Sequence, residues 1–363
     1  MKLSEKIING EKIKVGVFLG GFSSEREISL ESGRHIYNSL DTNKYEIIPI
    51  FITTSLEFWI ITEAQLWMNS TADIQNDLNG NCERIDYESI STKIDFAFLG
   101  VHGKYVEDGA LQGLLELLNI PYNGPGILGS ALGMDKLYQR KILKAQGFNV
   151  PKFASVRNKH WERNPQECIE KVESAIPYPV VVKPTREGCS TAVAKVHNKE
   201  ELKKAITDAL QWDNTIICEE FIDAMEVTCT IIGNKDPVAL PPTETPKKNN
   251  VLTVEEKFLP GNASMITPPT GMSEEVVKKV KEEFVRAYKV LNLSVYSRID
   301  AFWKNDNLII LEPNTLPGVT PSTMVFHQAA EAGMNPTQFF DKIIELSIEA
   351  FEIELPDSSQ SED

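Results

Sequence analysis

Residues 298–314 read RIDAFWKNDNLIILEPN, two apolar runs joined by the polar segment KNDN, and this pattern predicts a β-hairpin. Alternate residues of a strand share one face of a sheet. Arg298 and Asp300 therefore point the same way, as do Glu312 and Asn314. The hairpin is the strongest constraint on the C-terminal part of the chain, because it places charged side chains in a defined relation.

The charged face of this hairpin predicts a metal site. If the turn has three residues, 305–307, Asp300 lies directly opposite Glu312. Two adjacent carboxylates repel each other unless a positive group lies between them. Together with the amide oxygen of Asn314 they form the hard oxygen donor set that Mg²⁺ prefers. The alternative is a solvated hairpin face, but the tight loop 315–318 that follows suits close approach to a substrate.

The composition indicates a folded protein of more than one domain. The chain has 363 residues, of which 42% are hydrophobic and 25% charged. This length exceeds what one small core supports, so we expect two or three domains. The net charge of −15 disfavours binding to nucleic acid, whose phosphates would be repelled.

Neither zinc, disulfides nor a membrane segment is predicted. The five cysteines and five histidines show no CxxC, HExxH or mixed cluster. Segment 1–11 is polar, and no uncharged apolar run approaches the roughly 20 residues that span a bilayer. We therefore expect a cytoplasmic protein without membrane contact.

Strand-like and helix-like segments alternate in the first third. Apolar runs at 13–19, 45–52 and 94–99 are typical of buried strands, and helical patterns at 25–40 and 109–118 follow two of them. This alternation predicts a parallel sheet. The intervening residues from 53 to 90 are less regular and look like an insertion or a weak element, and the Gly- and Pro-rich residues from 121 to 129 look like a linker.

Three loops that follow predicted strands are candidate binding loops. In KPTREGCSTA, 183–192, a lysine ends an apolar strand and small residues follow, a pattern whose backbone N–H groups can hold phosphate. It is not a Walker A loop. Alone it is a weak signal, because many hairpin loops look like this.

The other two loops are GGFSSERE and VHGKYVEDG. In the first, Ser24 and Glu27 fit a helix capping box, which leaves Glu25 at the carboxyl edge of the predicted sheet, where α/β proteins bind ligands. In the second, His102 is a candidate site residue, although a histidine in such a loop is more often a structural hydrogen-bonding residue than a catalyst.

Taken together, the chain resembles the D-alanine–D-alanine ligase family of the ATP-grasp superfamily. The matching stretches span almost the whole chain in family order. They are FLGGFSSEREISLESG, VHGKYVEDGALQGLLELLNIPYNGPG, SALGMDK, VVVKPTREGCS, CEEFIDAMEVT, EEKF, YSRIDAF and LEPNTLPGVTPST.

The resemblance implies an α/β (α+β overall) fold with three domains that close around ATP. It implies an N-terminal Rossmann-like, parallel-sheet domain at 1–125, a central ATP-grasp subdomain at 126–220 and a C-terminal ATP-grasp domain with the metal site at 221–355. A disordered tail is expected at 356–363.

The resemblance also implies an activity. ATP would phosphorylate the carboxylate of one D-alanine, and the amine of a second would attack the acyl phosphate through a tetrahedral intermediate. The implied cofactors are ATP and two Mg²⁺ ions, with Mn²⁺ as a substitute. The implied partners are D-amino acid substrates and a second copy of the chain in a homodimer.

On the ATP side, the resemblance assigns five residues. Lys136 and Lys183 match lysines on ATP, and Lys257 matches a phosphate-binding lysine. Glu219 matches the adenine-side acid and Glu226 the ribose acid. Metal ions and lysines would neutralise the charge that builds up when a phosphoryl group moves between two anions.

On the side of the reacting amino acids, Glu25 matches the carboxylate that holds the first ammonium, with His102 nearby. Arg298 and the Gly318 backbone N–H match the groups that stabilise the oxyanion. Cys189 stands where the family has a serine that hydrogen-bonds with Glu25 and with a loop tyrosine.

The family match agrees with the hairpin pattern on the metal ligands, which are Asp300, Glu312 and Asn314. Thr323 and Met324 fall where the family holds the carboxylate of the second substrate.

Several positions depart from the family pattern. Phe258 replaces the loop tyrosine, and Cys189 replaces the serine, so the hydrogen-bonding hydroxyls of both are lost. Ala192 and Ala224 replace usual glycines. Three interpretations remain open: neutral change in a D-alanine–D-alanine ligase, another second substrate such as D-lactate or another D-amino acid, and an ATP-binding protein without ligase turnover.

Overall fold

Three β-sheets organise the chain, and a computed structural model describes residues 3–78, 80–188, 192–245 and 265–354. The elements of the first part, in chain order, are α1 (Leu3–Ile8), β1 (Ile13–Gly20), α2 (Arg26–Ser39), β2 (Tyr45–Ile52), β3 (Phe58–Ile60), α3 (Glu63–Leu66), α4 (Thr71–Asn76), β4 (Glu83–Ile85), a 3₁₀ turn (Tyr87–Ser89), α5 (Ile90–Lys93), β5 (Phe96–Leu99) and α6 (Ala110–Leu117).

The first sheet has the strand order β4-β3-β2-β1-β5. Strand β1 pairs in parallel with β2 and β5, which confirms the predicted parallel arrangement. Val15 and Val17 pack in one core cluster with Ile36 of α2, whereas Phe18 packs in another with Leu111 of α6. Helices thus cover both faces, which is why β1 reads as a continuous apolar run.

The second sheet is antiparallel, with the order β6-β9-β7-β8. Two helices in this part of the chain begin after Asn164 and Asn198, whose side-chain oxygens accept hydrogen bonds from backbone N–H groups of the first turn. The elements of this part are α7 (Ile127–Met134), α8 (Lys136–Ala145), β6 (Phe153–Arg157), α9 (Asn158–Arg163), α10 (Pro165–Ala175), β7 (Val180–Pro184), β8 (Ala194–Val196), α11 (Lys199–Ala209) and β9 (Thr215–Glu220).

The third sheet has the order β11-β10-β13-β14, with β12 also paired to β10. Its part of the chain comprises β10 (Met225–Ile232), β11 (Val238–Ala239), β12 (Thr243–Thr245), α12 (Glu274–Val290), β13 (Tyr296–Lys304), β14 (Asn307–Asn314), α13 (Met324–Glu331) and α14 (Pro336–Glu354). Phe339 and Phe340 of α14 pack in the same core cluster as Val15 and Val17, so the last helix joins the first and third parts. Of the helices in the described ranges, none has the length and apolarity needed to cross a membrane.

The β13–β14 hairpin reaches the predicted pairing by a different route. Its turn has two residues, Asn305–Asp306, both with positive φ, so the predicted three-residue turn is wrong. A regular ladder from this turn would leave Asp300 and Glu312 on opposite faces. A β-bulge next to Asp300 adds one residue to β14, which pairs Asp300 with Glu312 and Arg298 with Asn314.

Two regions without a regular sequence pattern, 53–90 and 121–129, contain ordered structure. Between 53 and 90, β3 and β4 extend the first sheet by two antiparallel strands. The predicted linker at 121–129 is wrong, because Tyr122 is buried and bridges Ala97, while α7 begins at Ile127. Gly and Pro here shape a buried connection. The tail predicted at 356–363 lies outside the described residues.

The predicted capping box at the start of α2 is also wrong. The residue before the helix is Glu25, and its side chain makes no capping bond. The carboxylate of Glu27 instead accepts hydrogen bonds from the backbone N–H and the hydroxyl of Thr71 on α4. A tertiary contact therefore uses the acid that the local pattern assigned to capping.

Candidate active site

A cavity opens where the three parts of the chain meet, and residues from each part line it. The structure therefore brings together side chains from distant stretches of sequence. The predicted residues that line the cavity are Glu25, His102, Lys136, Lys183, Arg298, Asp300, Glu312, Asn314 and Gly318.

The hairpin face forms one wall of the cavity. The guanidinium of Arg298 donates from Nε to Asp300 Oδ1 at 2.9 Å and from its terminal nitrogen to Oδ2 at 3.0 Å. The hydroxyl of Thr228 donates to Asp300 Oδ1 at 2.5 Å, and the side-chain amide of Asn314 donates to Oδ2 at 3.0 Å. The arginine offsets the repulsion expected between Asp300 and Glu312.

The oxygen atoms of Asp300, Glu312 and Asn314 are compatible with binding a divalent ion that is also coordinated by phosphate groups. Within the described ranges, no group of three or more His, Cys, Asp or Glu residues is placed to hold a metal ion. The hairpin offers two carboxylates and one amide. Mg²⁺ commonly takes only one or two carboxylates from a protein and completes its shell with water and phosphate oxygens.

Lys136 ties the hairpin to the loop after β7. Its backbone N–H donates to the Thr185 carbonyl at 3.0 Å, and its Nζ donates to the Glu187 carbonyl at 2.8 Å. The same Nζ lies 3.4 Å from Glu312 Oε2. One lysine at the start of α8 thus contacts both the loop after β7, a candidate phosphate-binding loop, and Glu312, a candidate metal ligand.

Behind Lys183 lies a buried charge triad. Glu219 Oε1 is 2.5 Å from Arg140 Nε, and Glu219 Oε2 is 2.6 Å from Lys183 Nζ. Burial raises the pKa of Glu219, but the charges and hydrogen bonds of Arg140 and Lys183 outweigh it and leave that pKa below its usual value. The acid stays ionised inside the protein.

Arg140 is fully buried, and within the part of the chain that the structure describes, its two terminal nitrogens have no hydrogen-bond partner. The contact between Arg140 Nε and Glu219 is therefore the ion pair that compensates the buried charge of Arg140. Because Lys183 lines the cavity and Arg140 does not, the lysine is the cation of the triad that a ligand can reach.

Glu25 reaches the cavity between two glycines. A Cβ at Gly103 or Gly188 would lie 3.1 Å from Glu25 Oε2, so a larger residue at either position would crowd the carboxylate. Gly103 also has a φ of +88°, which favours glycine. The two glycine loops leave room for this acid at the cavity wall.

His102 bridges the first and third parts. Its Nδ1 donates to the Leu316 carbonyl at 3.1 Å, which fixes a proton on Nδ1, and its Nε2 lies 3.1 Å from the Ser32 hydroxyl. The Glu107 carboxylate is 3.5 Å from Nδ1. Burial lowers the pKa of His102, but the Glu107 and Glu25 carboxylates outweigh it and raise that pKa above its ordinary value.

Other predicted site residues either do not line the cavity or fall outside the described residues. Glu226 is half-buried on β10 and does not line the cavity. Thr323 and Met324 are buried at the start of α13. The remaining predictions, on Cys189, Lys257 and Phe258, fall outside the described residues.

Arg140 and Glu107 are site residues that the sequence patterns missed. An arginine in the amphipathic segment KLYQRKILKA is normally read as exposed, and nothing local shows that it is buried. Glu107 had a weak signal, because it lies in the same loop as His102 and lines the same cavity.

Family models match both halves of the chain. The N-terminal model of D-ala D-ala ligase matches residues 14–125, and the C-terminal model matches residues 142–345. The chain belongs to the D-alanine–D-alanine ligase family. The resemblance found in the motifs is confirmed, and the family is one of ATP-dependent ligases.

Relatives of this family match over nearly their full length. A D-alanine–D-alanine ligase of Natranaerobius thermophilus is 36% identical, covering 93% of this chain and 95% of the relative. That of Carboxydothermus hydrogenoformans is also 36% identical, covering 93% and 99%.

Solved structures are similar as well. The VanG D-Ala:D-Ser ligase of Enterococcus faecalis has a TM-score of 0.79 at 31% identity, covering 93% of this chain and all of that chain (100%). The D-alanine–D-alanine ligase of Bacillus anthracis, solved with ATP, has a TM-score of 0.69 at 29% identity, covering 95% and 100%. The three-sheet fold of this chain is accordingly an ATP-grasp fold.

Replacing Arg140 tests the buried triad. We expect Arg140→Met to lower the free energy of unfolding by about 3 kcal/mol or more, because it removes one partner of a buried ion pair. The measurement is urea unfolding followed by circular dichroism. Lys141→Met, one residue further along α8 and exposed, is the control and should change the value by less than about 0.5 kcal/mol. Equal effects of both substitutions would contradict the triad's role.

Replacing Glu107 tests the electrostatics around His102. We expect Glu107→Gln to lower the pKa of His102, because it removes the carboxylate that most favours the charged imidazole. The measurement is a pH titration of the histidine Cε1–H signals by NMR, assigned with His102→Gln. A His102 signal that titrates at the same pH in both proteins would show that Glu107 does not set this pKa.

Proposed function

We propose that this protein is an ATP-dependent D-alanine–D-alanine ligase that makes a dipeptide for peptidoglycan precursors. The observation that carries the proposal is the cavity in which Glu25, two lysines and the Asp300–Glu312 pair meet. Full-length relatives at 36% identity that bear this name support it.

ATP binding is proposed for the side of the cavity formed by the second and third sheets. Lys136 and Lys183 would contact the phosphates, joined by Lys257. Glu219 would accept a hydrogen bond from the adenine amine, and Glu226 would bind the ribose. Lys183 pairs with Glu219 in the present structure, so it would exchange this partner for phosphate.

Magnesium is proposed for the hairpin wall, where Asp300, Glu312 and Asn314 would hold it. Two ions are expected, with Mn²⁺ able to replace them. When bound, the metal would offset phosphate charge and polarise phosphoryl oxygens. Arg298 pairs with Asp300, and Lys136 lies beside Glu312.

The reacting amino acids are proposed to lie between Glu25 and the loop that contains Gly318. A carboxylate oxygen of the first D-alanine would attack the γ-phosphorus, and ADP would leave. Glu25, with His102 beside it, would hold the ammonium of this substrate. Cys189, in the family's serine position, would lie near Glu25.

The amine of the second D-alanine would then attack the acyl carbon, lose a proton and expel phosphate. Arg298 and the Gly318 N–H would stabilise the oxyanion of the tetrahedral intermediate. Thr323 and Met324 would hold the carboxylate of this second substrate.

We further propose that the three sheets correspond to domains at 1–125, 126–220 and 221–355, that two copies form a homodimer and that the protein is cytoplasmic. The order of the sheets along the chain supports the domain division. Family membership supports the dimer and the location.

A second candidate is a ligase that joins D-alanine to another second substrate. The replacement of the family's loop tyrosine and serine by Phe258 and Cys189 favours it. The similarity to a D-Ala:D-Ser ligase structure also favours it.

The decisive experiment supplies Mg²⁺–ATP with D-alanine alone and with equimolar D-serine or D-lactate, and identifies products by mass spectrometry. We expect one ADP, one phosphate and one D-alanyl-D-alanine per turnover. Glu25→Gln should raise the KM for the first D-alanine roughly 10- to 100-fold, because a charged hydrogen bond is lost.

Glu27→Gln is the matched control, because that carboxylate contacts Thr71 instead of the cavity. A mixed product that dominates in the competition would favour the second candidate. ATP binding without ADP formation in any mixture would overturn both ligase proposals.

A further inference from the structure

We propose that His35 is a positioning residue, which holds the loop at 315–320 so that the Gly318 N–H faces the reacting carbonyl. This inference rests on the proposed function of Gly318. His35 lies on α2 in the first part of the chain, and it does not line the cavity.

The key contact joins His35 to the backbone of the loop. Its Nδ1 lies 2.6 Å from the carbonyl oxygen of Val319. A carbonyl only accepts hydrogen bonds, so Nδ1 carries the proton and donates. Val319 directly follows Gly318, and its side chain is buried.

A second histidine makes a parallel contact on the other side of Gly318. His102 donates from Nδ1 to the Leu316 carbonyl at 3.1 Å. The two imidazoles, both from the first part of the chain, therefore hold the carbonyl of Leu316, two residues before Gly318, and that of Val319, one residue after it. Fixing these two points limits how far the short segment between them, and with it the Gly318 N–H, can turn.

The ring of His35 is itself held in place. It packs edge-on against Phe326 of α13 and Phe340 of α14, with ring centroids 4.7 Å and 5.6 Å away. Burial lowers the pKa of His35, although its bond to the Val319 carbonyl opposes this effect. The imidazole is thus an oriented donor, with the proton at the nitrogen that faces the loop.

The loop depends on such contacts because it is buried. Every residue from 315 to 320 is buried. The Thr320 carbonyl accepts bonds from the N–H and hydroxyl of Thr323, which anchor the downstream end. Within the part of the chain that the structure describes, His35 is the hydrogen-bond donor found for the Val319 carbonyl.

Two substitutions separate the donor from the aromatic packing. His35→Asn keeps a donor at the position of Nδ1 but loses the ring. His35→Phe keeps a ring between Phe326 and Phe340 but has no donor. We expect His35→Phe to lower kcat by about tenfold, because a displaced oxyanion donor loses part of its effect.

His35→Asn should keep most of kcat and show the larger fall in Tm. The KM for ATP should be unchanged in both variants. Phe340→Leu, which disturbs the same packing, should lower Tm and leave kcat intact. A residue that only stabilises packing would give the reverse pattern, with His35→Asn impaired and His35→Phe active, and this result would overturn the proposal.

Hydrogen exchange provides a readout that does not require turnover. Peptides covering residues 315–320 should exchange faster in His35→Phe than in His35→Asn or the unmodified protein, as measured by mass spectrometry. Unchanged exchange in His35→Phe would overturn the proposal whatever the kinetics. If the unmodified protein makes no dipeptide, the proposed function fails separately, and the exchange rates alone decide whether His35 holds the loop.

Discussion

The pairing of Asp300 with Glu312 is the constraint on which the rest of the site depends. Two carboxylates on neighbouring strands of a half-buried sheet would destabilise the hairpin without nearby cations. Arg298 binds Asp300 through two hydrogen bonds, and Lys136 lies beside Glu312. Because Lys136 also donates to the Glu187 carbonyl in the loop after β7, this lysine connects the charged face of the third sheet to the second sheet.

The same principle of counter-charge operates further inside. Glu219 is buried between Arg140 and Lys183, and His102 is buried beside Glu107. A buried ion without a partner would be far more costly than one held in such a pair. Three cations, Lys136, Lys183 and Arg298, line the cavity together with five carboxylates, those of Glu25, Glu107, Glu187, Asp300 and Glu312. A polyanionic substrate such as ATP would therefore rely on bound Mg²⁺ as well as on these three cations to balance its charge.

Much of this architecture follows from local sequence. The apolar runs predicted β1, β2 and β5 of the first sheet but not β3 and β4, and the hairpin pattern predicted the Asp300–Glu312 pairing. The two-residue turn and the bulge escaped prediction, because either a three-residue turn or a shorter turn with a bulge gives the same pairing. The local sequence pattern could not show that one extra residue in β14 brings Asp300 opposite Glu312.

Tertiary contacts account for the other differences. Glu27 fits a capping box in sequence, yet Thr71 from a distant helix takes its carboxylate. Arg140 resembles a surface residue of an amphipathic helix, yet Glu219 holds it in the core. His35 has no motif at all, because its partner is a backbone carbonyl of Val319, far along the chain. Such residues become visible only when the fold brings the partners together.

The most direct test of whether the hairpin carboxylates hold the metal is a titration with Mn²⁺ in the presence of ATP. Electron paramagnetic resonance measures the free and bound Mn²⁺. We expect Glu312→Gln to weaken Mn²⁺ binding roughly tenfold or more, because a charged ligand is lost. Glu331→Gln, exposed at the end of α13, should bind as the unmodified protein does. Equal Mn²⁺ affinity in all three proteins would contradict the proposal that the hairpin carboxylates hold the metal.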